Sequence, residues 1–239
     1  FRPEKRQKVQ PQKHFKFCQN HVLEILMMKE IYWDILDRER QAVFRQISQI
    51  LGAAYYLAGG TALALQLRHR ESFDFDLFRN AEIKLPVKQK VFKGFKGYSV
   101  QTLVDTADEL SIVLKNEIKL SLINYFWDPL FPLLKIPGIV PLLSIKDIAA
   151  TKAYALGRRG SYRDYFDLYV IVNNGHADLP DIIKWCGKKY GEVFSERMFL
   201  EQLTYMDDMD SGEKLKFIDE QYISPKDLVE FFKKHIRKL

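Results

Sequence analysis

The chain has 239 residues, of which 47% are hydrophobic and 28% are charged, and its formal net charge is +6 at pH 7. This length is enough for one large domain or two small ones with a buried core. No apolar run approaches the roughly 20 residues that span a bilayer, and no signal peptide is recognisable, so we expect a cytoplasmic protein with no membrane partner.

Charge and cysteine content narrow the classes of partner. Mild basicity is compatible with a nucleic acid or a nucleotide. Much of the basic excess lies at the two ends of the chain, where solvated, frayed termini are the favoured explanation. Cys18 and Cys186 are far apart and fit no metal-ligand spacing, which favours two reduced thiols.

The first third of the chain changes from a tail to helices and then to a strand–turn–helix unit. Residues 1–20 are polar, basic and without periodicity. Residues 22–51 carry apolar side chains at three- and four-residue spacing, which predicts two helices broken near Asp37. A strand is predicted at 55–58, followed by a Gly-Gly turn and a helix opening on Thr61.

The rest of the chain is predicted to change from strands to helices. Alternating polar and apolar residues predict a strand at 72–77. Further strands are predicted at 98–104, 110–114 and 118–125, with a helix at 84–93. After a proline-rich stretch, helices are predicted at 144–158, 161–172, 180–190, 196–206 and 213–220, with a last helix beginning at Ser224. Serines with an aspartate three residues later resemble capping boxes at Ser144, Ser161 and Ser224. We therefore expect a basic tail at 1–20, an α/β domain at 21–142 and a helical domain at 143–239.

Two aspartates on the predicted strand at 72–77 carry the first chemical signal. Asp74 and Asp76 are two residues apart, so their side chains point to the same face of a strand. Neighbouring carboxylates repel each other unless a cation lies between them, and Mg²⁺ prefers carboxylate oxygens. The alternative is a solvated edge strand with alternating acids, although aspartate is disfavoured in strands.

The Gly59-Gly60-Thr61 turn carries the second signal. A Gly-Gly turn lets backbone amides approach a phosphate closely, and the helix amino end that follows favours an anion. The alternative is a helix-capping threonine after a tight turn. Only one helix and a short turn separate Thr61 from Asp74, so both signals can face one cleft.

These motifs, with two more in the second half, resemble the AbiEii/AbiGii nucleotidyltransferase toxin family of the DNA polymerase β-like superfamily. The family pattern is a GG[S/T] helix start followed by a D-x-D strand, as in residues 56–67 and 72–78 here. The segment 147–153 resembles the family's helix with a functional lysine. The segment 163–169 resembles its [KR]-D-x-x-D-L motif, and the four motifs together cover residues 55–172.

The resemblance implies an α+β fold, with an N-terminal nucleotidyltransferase mixed sheet and flanking helices followed by a C-terminal helical bundle. It implies that Asp74 and Asp76 hold one or two Mg²⁺ ions. Gly59, Gly60 and Thr61 would bind the triphosphate of an NTP. An acceptor hydroxyl would then attack the α-phosphate in line and pyrophosphate would leave.

The resemblance also assigns roles to the later motifs and to the residues just before Asp74. Lys152 would neutralise phosphate charge, and Arg70 and Ser72 would contribute to NTP binding. An aspartate of the second-half motif would complete the site. Asp164 and Asp167 share a helix face, but Asp164 also fits a capping role, so Asp167 is the stronger candidate. Alternatives stay open: Lys152 is ordinary on a solvated helix, and Arg70, Arg158 and Arg159 could serve phosphate or RNA or only cover the surface.

One position departs from the superfamily pattern. Many relatives carry a third carboxylate on a later strand, where Ser121 stands in this chain. Glu117 lies four residues earlier and would share that face if the strand reached it. The departure leaves the second metal and the identity of the base open.

Three functions fit these observations. The first is a toxin that transfers NMP to RNA, with tRNA as the acceptor suggested by the resemblance and with a separate antitoxin protein. The second is a nucleotidyltransferase that modifies a protein or a small molecule. The third is a catalytically silent nucleotide-binding module, which Ser121 favours and the retained Asp74 and Asp76 disfavour.

Overall fold

The computed structural model describes residues 31–239 except 116, 157, 159, 160, 206–215 and 219–221. The predicted tail, Cys18 and the beginning of the first predicted helix lie outside the described residues. Tyr32–Leu239 forms one compact unit. The division into domains at residue 142 stays a prediction.

The described part of the chain contains five strands and eight α-helices. The strands are β1 (Tyr56–Ala58), β2 (Phe75–Arg79), β3 (Val100–Asp105), β4 (Glu109–Leu114) and β5 (Ile118–Asn124). The helices are α1 (Arg38–Leu51), α2 (Gly59–Leu67), α3 (Leu85–Gly94), α4 (Ile145–Leu156), α5 (Tyr162–Asn173), α6 (Leu179–Tyr190), α7 (Glu196–Thr204) and α8 (Pro225–Ile236). Within these residues, no helix is both long and apolar enough to cross a membrane.

The strands form one mixed sheet in the order β1-β2-β5-β4-β3. The neighbours β2 and β5 run parallel, and the other three pairs are antiparallel. The register places Asp76 opposite Ala58 on one side and opposite Ser121 on the other. Ser121 in turn lies opposite Ser111 of β4.

The two faces of the sheet differ in polarity because side chains alternate along each strand. One face is apolar and fully buried, and includes Phe75, Leu77, Leu120 and Leu122. Helix α1 packs on this face, where the ring of Phe44 stacks on Phe75 with centroids 5.3 Å apart. The other face, which we call the polar face, carries Asp76, Ser121, Ser111 and Glu109 in its central strands.

The helices that follow the sheet begin at capping serines and aspartates. The Ser144 hydroxyl accepts a hydrogen bond from the Asp147 amide at 3.1 Å, and Ser224 does the same for Asp227 at 3.1 Å. Both predicted caps are therefore confirmed. The Asp164 amide instead bonds the Ser161 carbonyl oxygen, and its carboxylate turns towards Lys152.

A second buried ion pair fastens the proline-rich connection to the helices. The Asp147 carboxylate lies 2.8 Å from the Lys189 ammonium of α6. It also accepts hydrogen bonds from the backbone amides of Leu130 and Phe131 at 2.8 and 3.0 Å. These contacts hold the segment that leads from β5 to α4.

Four predicted elements differ from the structure. The helix predicted to open on Thr61 begins at Gly59, directly after β1, and the described end of the first predicted helix is a short 3-10 helix at Trp33–Ile35. The predicted strand at 72–77 begins only at Phe75, because the carbonyl oxygen of Asp74 pairs with the Thr61 side chain rather than with a neighbouring strand. The predicted helix at 213–220 lies largely outside the described residues. Its residue Phe217 forms an antiparallel bridge with Arg70, so the prediction is wrong at that position.

Candidate active site

Helix α2 begins directly after β1, and its amino end lies against a carboxylate. Gly59 has a φ of +68°, a conformation that side chains rarely adopt. A Cβ atom at Gly59 would lie 2.7 Å from Oδ2 of Asp76. Glycine is therefore required twice at this position, for the backbone conformation and for the approach of Asp76 to the start of α2.

The second glycine, Gly60 in the first turn of α2, makes room for an arginine. A Cβ atom at Gly60 would lie 2.2 Å from a terminal nitrogen of Arg70 and 3.2 Å from Oγ of Ser72. The Arg70 guanidinium thus lies directly on the helix start. Arg70 is only 2% exposed, which rules out the interpretation that it only covers the surface.

Thr61 is buried next to the backbone of Asp74. Its hydroxyl contacts both Ser72 Oγ, at 2.8 Å, and the carbonyl oxygen of Asp74. A carbonyl oxygen can only accept, so Thr61 donates to Asp74 and accepts from Ser72. These bonds fix the backbone that carries Asp74, and the contacts of Thr61 and Ser72 with an NTP stay predictions.

Asp74 and Asp76 both remain partly exposed, while the residues on either side of Asp76 are buried. Asp76 projects from β2 on the polar face, and Asp74 immediately precedes the strand. The two aspartates therefore lie at the start of β2, and the Asp76 carboxylate lies next to the amino end of α2.

Lys152 of α4 is the centre of a buried ionic network. Its ammonium nitrogen lies 2.6 Å from an oxygen of Asp164 and 2.7 Å from an oxygen of Asp167. The Asp167 carboxylate also receives two hydrogen bonds from Arg70, at 2.7 and 2.9 Å. The interpretation of Lys152 as an ordinary solvated lysine is wrong, since its side chain is 8% exposed.

His69 completes this network, and sequence reasoning missed it. Its Nε2 lies 2.8 Å from Asp167 Oδ1, and its ring stacks on Phe166 with centroids 5.9 Å apart. Its Nδ1 is buried and has no hydrogen-bond partner within the described residues. A neutral ring with the proton on Nε2 fits both facts, because Nε2 then donates to the carboxylate. The only signal in the sequence was its place beside Arg70.

Burial and charge compete within the network. Burial works to raise the pKa of Asp167, but the Arg70 and Lys152 cations outweigh it and hold that pKa well below its usual range. Burial works to lower the pKa of Lys152, but Asp167 and Asp164 outweigh it and raise that pKa. Burial dominates at His69 and lowers its pKa, against the opposing effect of Asp167. The network thus holds two cations, two carboxylates and a neutral imidazole.

The glycine pair joins the two halves of the site. Asp76 lies against Gly59, Arg70 lies against Gly60, and Arg70 binds Asp167, which binds Lys152. The four motifs that are separated in the sequence therefore meet in one place. Lys152 has three ammonium protons, and the described carboxylate contacts use two of them.

Aromatic side chains border the polar face. Phe78, two residues after Asp76, stacks on Tyr125 with ring centroids 4.6 Å apart. Further along, Tyr154 stacks on Tyr190 at 4.0 Å, and the exposed Arg158 guanidinium lies 3.6 Å from the centre of the Tyr154 ring. Arg158 is thus held by an aromatic ring, while Arg159 lies outside the described residues.

Ser121, the expected place of the third carboxylate, is a buried residue of β5. Ser121 lies directly opposite Asp76 in the sheet. The strand does not reach Glu117, because β5 begins at Ile118 and Glu117 is exposed in the preceding turn, so Glu117 does not share the face of Ser121. Glu109 of β4 was not foreseen as a site residue, yet it lies on the polar face two residues from Ser111.

The donor set at β2 fits a magnesium ion. Mg²⁺ in phosphate-transferring sites typically takes one or two carboxylates, with waters and substrate phosphates as the other ligands. Asp74 and Asp76 are the partly exposed carboxylates beside a helix amino end that would face those phosphates. Among the described residues, no group of three or more aspartate, glutamate, histidine or cysteine side chains could hold a metal.

Comparison with known proteins decides the family. Residues 110–235 match the family described as the nucleotidyl transferase AbiEii toxin of type IV toxin–antitoxin systems. The chain belongs to the AbiEii nucleotidyltransferase toxin family. The match includes Lys152, Asp164 and Asp167 and begins after the Gly59–Asp76 segment, which the geometry above joins to them.

Relatives and solved structures agree with this assignment. The chain is 31% identical over 215 residues to the uncharacterized protein aq_aa25 of Aquifex aeolicus (strain VF5), covering 84% of this chain and 95% of that protein. Among solved structures, the nucleotidyltransferase toxin MenT4 (Rv2826c) of Mycobacterium tuberculosis H37Rv has a TM-score of 0.56 and 14% identity, covering 89% of this chain and 87% of that one. JHP933 of Helicobacter pylori has a TM-score of 0.50 and 18% identity, covering 87% and 94% respectively. These structures show that the mixed sheet and its helices form a nucleotidyltransferase fold, as expected.

Proposed function

We propose that this nucleotidyltransferase toxin transfers NMP from an NTP to a hydroxyl group of RNA in a reaction that requires Mg²⁺. By the family resemblance, the acceptor is a tRNA, and growth arrest follows from the blocked tRNA. The enzyme acts in the cytoplasm, and a separate antitoxin protein counteracts it.

The observation that carries this proposal is a chain of contacts that runs from Asp76 at Gly59, through Arg70 at Gly60, to Asp167 and Lys152. A silent binding module has no physical need for two partly exposed carboxylates at a helix start. A nucleotidyltransferase needs them next to a cradle for the triphosphate.

Residues of α2, α4 and α5 bind the triphosphate or position the groups that bind it. Backbone amides at Gly59 and Gly60 bind triphosphate oxygens at the amino end of α2. The third ammonium proton of Lys152 bonds a phosphate oxygen, while Asp164 and Asp167 hold that ammonium in place. Arg70 is a positioning residue, because its guanidinium binds Asp167 and packs against Gly60 at the start of α2.

Asp74 and Asp76 would hold the metal. When bound, Mg²⁺ supplies Lewis acidity that neutralises charge on the phosphates. Thr61 and Ser72 keep the Asp74 backbone in position. The acceptor oxygen then bonds to the α-phosphorus as the bond to the bridging oxygen breaks, and pyrophosphate leaves.

Surface charge supports a polyanionic acceptor. The net charge is +6, and exposed lysines lie on and beside α3 at Lys84, Lys90, Lys93 and Lys96. Lysines of this kind can bind phosphates without reading a sequence. A protein or small-molecule acceptor is the alternative, which the following experiment separates.

The test is label transfer from each α-labelled NTP in turn, with Mg²⁺ and total tRNA. We expect the wild type to label RNA, with no labelling by Asp74→Asn or in the presence of EDTA. Asp181→Asn is the matched control, because Asp181 is exposed in the first turn of α6 and is not among the residues proposed to bind the metal or the NTP. Label that reaches only protein or a small molecule would replace RNA as acceptor. NTP binding without transfer to any acceptor would contradict the enzymatic proposal.

A further inference from the structure

Two buried serines stand beside Asp76 on the polar face. Ser121 is 2% exposed and Ser111 is 1% exposed. They lie directly opposite each other in neighbouring strands, and Ser121 lies directly opposite Asp76. Opposed residues in a sheet project from the same face. Asp76, Ser121 and Ser111 therefore form a row across three neighbouring strands of the polar face.

These hydroxyls form a continuous hydrogen-bonded chain that ends on Glu109. The distance between Ser111 Oγ and Glu109 Oε1 is 2.6 Å, and that between Ser111 Oγ and Ser121 Oγ is 2.9 Å. A hydroxyl has one proton, and an ionised carboxylate can only accept. Ser111 therefore donates to Glu109, and Ser121 donates to Ser111.

The direction of this chain has a chemical consequence. Both serine protons point away from Asp76, which leaves an oxygen lone pair of Ser121 on the side where Asp76 stands. Glu109, at the far end, is partly exposed and can exchange protons with solvent. The chain thus has a buried middle, a proton entry at Ser121 and an exit at Glu109.

We propose that Glu109 accepts the proton of the attacking hydroxyl through Ser121 and Ser111, in place of the third carboxylate that this chain lacks. The inference rests on the proposed nucleotidyl transfer. As the acceptor oxygen bonds to the α-phosphorus, its proton passes to Ser121 Oγ. The Ser121 proton moves to Ser111, and the Ser111 proton moves to Glu109. Pyrophosphate leaves with the electron pair of the broken bond, and Glu109 then releases its proton to water.

The decisive variant is Glu109→Gln. A glutamine carbonyl oxygen still accepts the Ser111 hydrogen bond but cannot hold the transferred proton, so packing is kept and basicity is lost. We expect kcat to fall about 100-fold or more, the usual contribution of a positioned base, with NTP binding and KM unchanged. Glu117→Gln is the matched control, since Glu117 is exposed in the turn before β5 and should keep wild-type kcat.

Two further readouts separate proton transfer from a structural effect. Several protons move together in the wild type, so kcat should depend on the deuterium fraction of the solvent along a curve, and this curve should become linear in Glu109→Gln. Adding Ser121→Asp to Glu109→Gln places a carboxylate directly opposite Asp76 and should restore kcat at least in part. Ser111→Ala interrupts the chain without changing Glu109 and should reproduce the loss.

The outcomes separate the two proposals. If the wild type transfers label and Glu109→Gln or a folded Ser111→Ala does so at the same kcat, the relay is wrong and the nucleotidyl transfer stands. A loss of kcat that Ser121→Asp does not repair, with an unchanged deuterium curve, would also overturn the relay. If the wild type transfers label to no acceptor, it is the proposed function that fails.

Discussion

The guanidinium of Arg70 rests on the backbone of Gly60, where a Cβ atom would come within 2.2 Å of a terminal nitrogen. The same guanidinium makes two hydrogen bonds to Asp167. Arg70 thus links the start of α2, which we propose binds the triphosphate, to Asp167 of α5. Asp167 in turn binds Lys152 of α4. A side chain at Gly60 should therefore disturb both the start of α2 and the contact between Arg70 and Asp167.

Gly60→Ala should therefore displace Arg70 and disturb the catalytic geometry. We expect kcat to fall about 100-fold, the scale of a displacement of 1 Å in an active site. Gly187→Ala is the matched control, because no atom lies within 4 Å of the Cβ position at Gly187 in α6. Steady-state kinetics with labelled NTP measure both variants. Equal activity of Gly60→Ala and the wild type would show that Arg70 does not need this contact.

Two buried lysines allow a comparison of stability with catalysis. Lys152 and Lys189 each pair with buried aspartates, Lys152 at the site and Lys189 at the proline-rich connection. Breaking a buried ion pair typically costs about 3–5 kcal/mol, so Lys152→Met and Lys189→Met should both lower the free energy of unfolding by about that amount. Only Lys152→Met should abolish transfer at temperatures where both variants remain folded. Denaturant unfolding and label transfer on the same samples test this. A parallel loss of activity in both variants would mean that Lys152 acts through stability alone.

His69 should make stability depend on pH. Its pKa is lowered in the folded state from the ordinary 6.5, so the unfolded chain takes up its proton first as the pH falls. The contribution of the neutral imidazole is therefore complete above pH 6.5 and is lost as the pH falls through the folded pKa. His69→Gln can still donate to Asp167 but does not titrate. The melting temperature of the wild type should fall more steeply with decreasing pH below 6.5 than that of His69→Gln. Identical slopes of melting temperature against pH would refute the prediction.

Thr61→Val should test the support beneath Asp74. Valine has nearly the shape of threonine but cannot bond Ser72 or the Asp74 carbonyl oxygen. Leaving these buried groups unpaired should cost about 1–3 kcal/mol of unfolding free energy. It should also reduce kcat, because the Asp74 backbone loses its anchor. Thr61→Ser keeps the hydroxyl and should be milder in both measurements. If the two variants behave alike in urea unfolding and in kinetics, the hydroxyl has no such role.

Local sequence patterns predicted most of the elements near the site. Alternation along β2 and the glycines before α2 are short-range signals, since strand geometry and glycine conformations act over a few residues. They placed Asp76 on the face opposite Phe75 and Leu77. They failed at residue 72, because a bond from the Thr61 side chain, not the local pattern, decides where β2 begins.

The family resemblance named Lys152, Asp164 and Asp167, but nothing in the local pattern predicted how they are held. Arg70 and Asp167 are 97 residues apart in the chain and lie within hydrogen-bond distance in the fold. Helical spacing shows that Asp164 and Asp167 share a face, but it cannot say which cations meet that face. The same limit hid His69, whose partner lies on a helix far along the chain.

The sequence by itself determined the order of strands and helices, the shared face of the β2 aspartates and the glycine turn, because each depends on backbone geometry within a few neighbouring residues. Only the tertiary structure decided that Arg70 meets Asp167 and that Ser121 stands between Asp76 and Ser111. It also decided that Glu109, rather than Glu117, is the glutamate that contacts this pair of serines. Strand pairing and helix packing are set by the burial of whole apolar faces, so contacts between distant residues follow from the complete fold and not from local spacing.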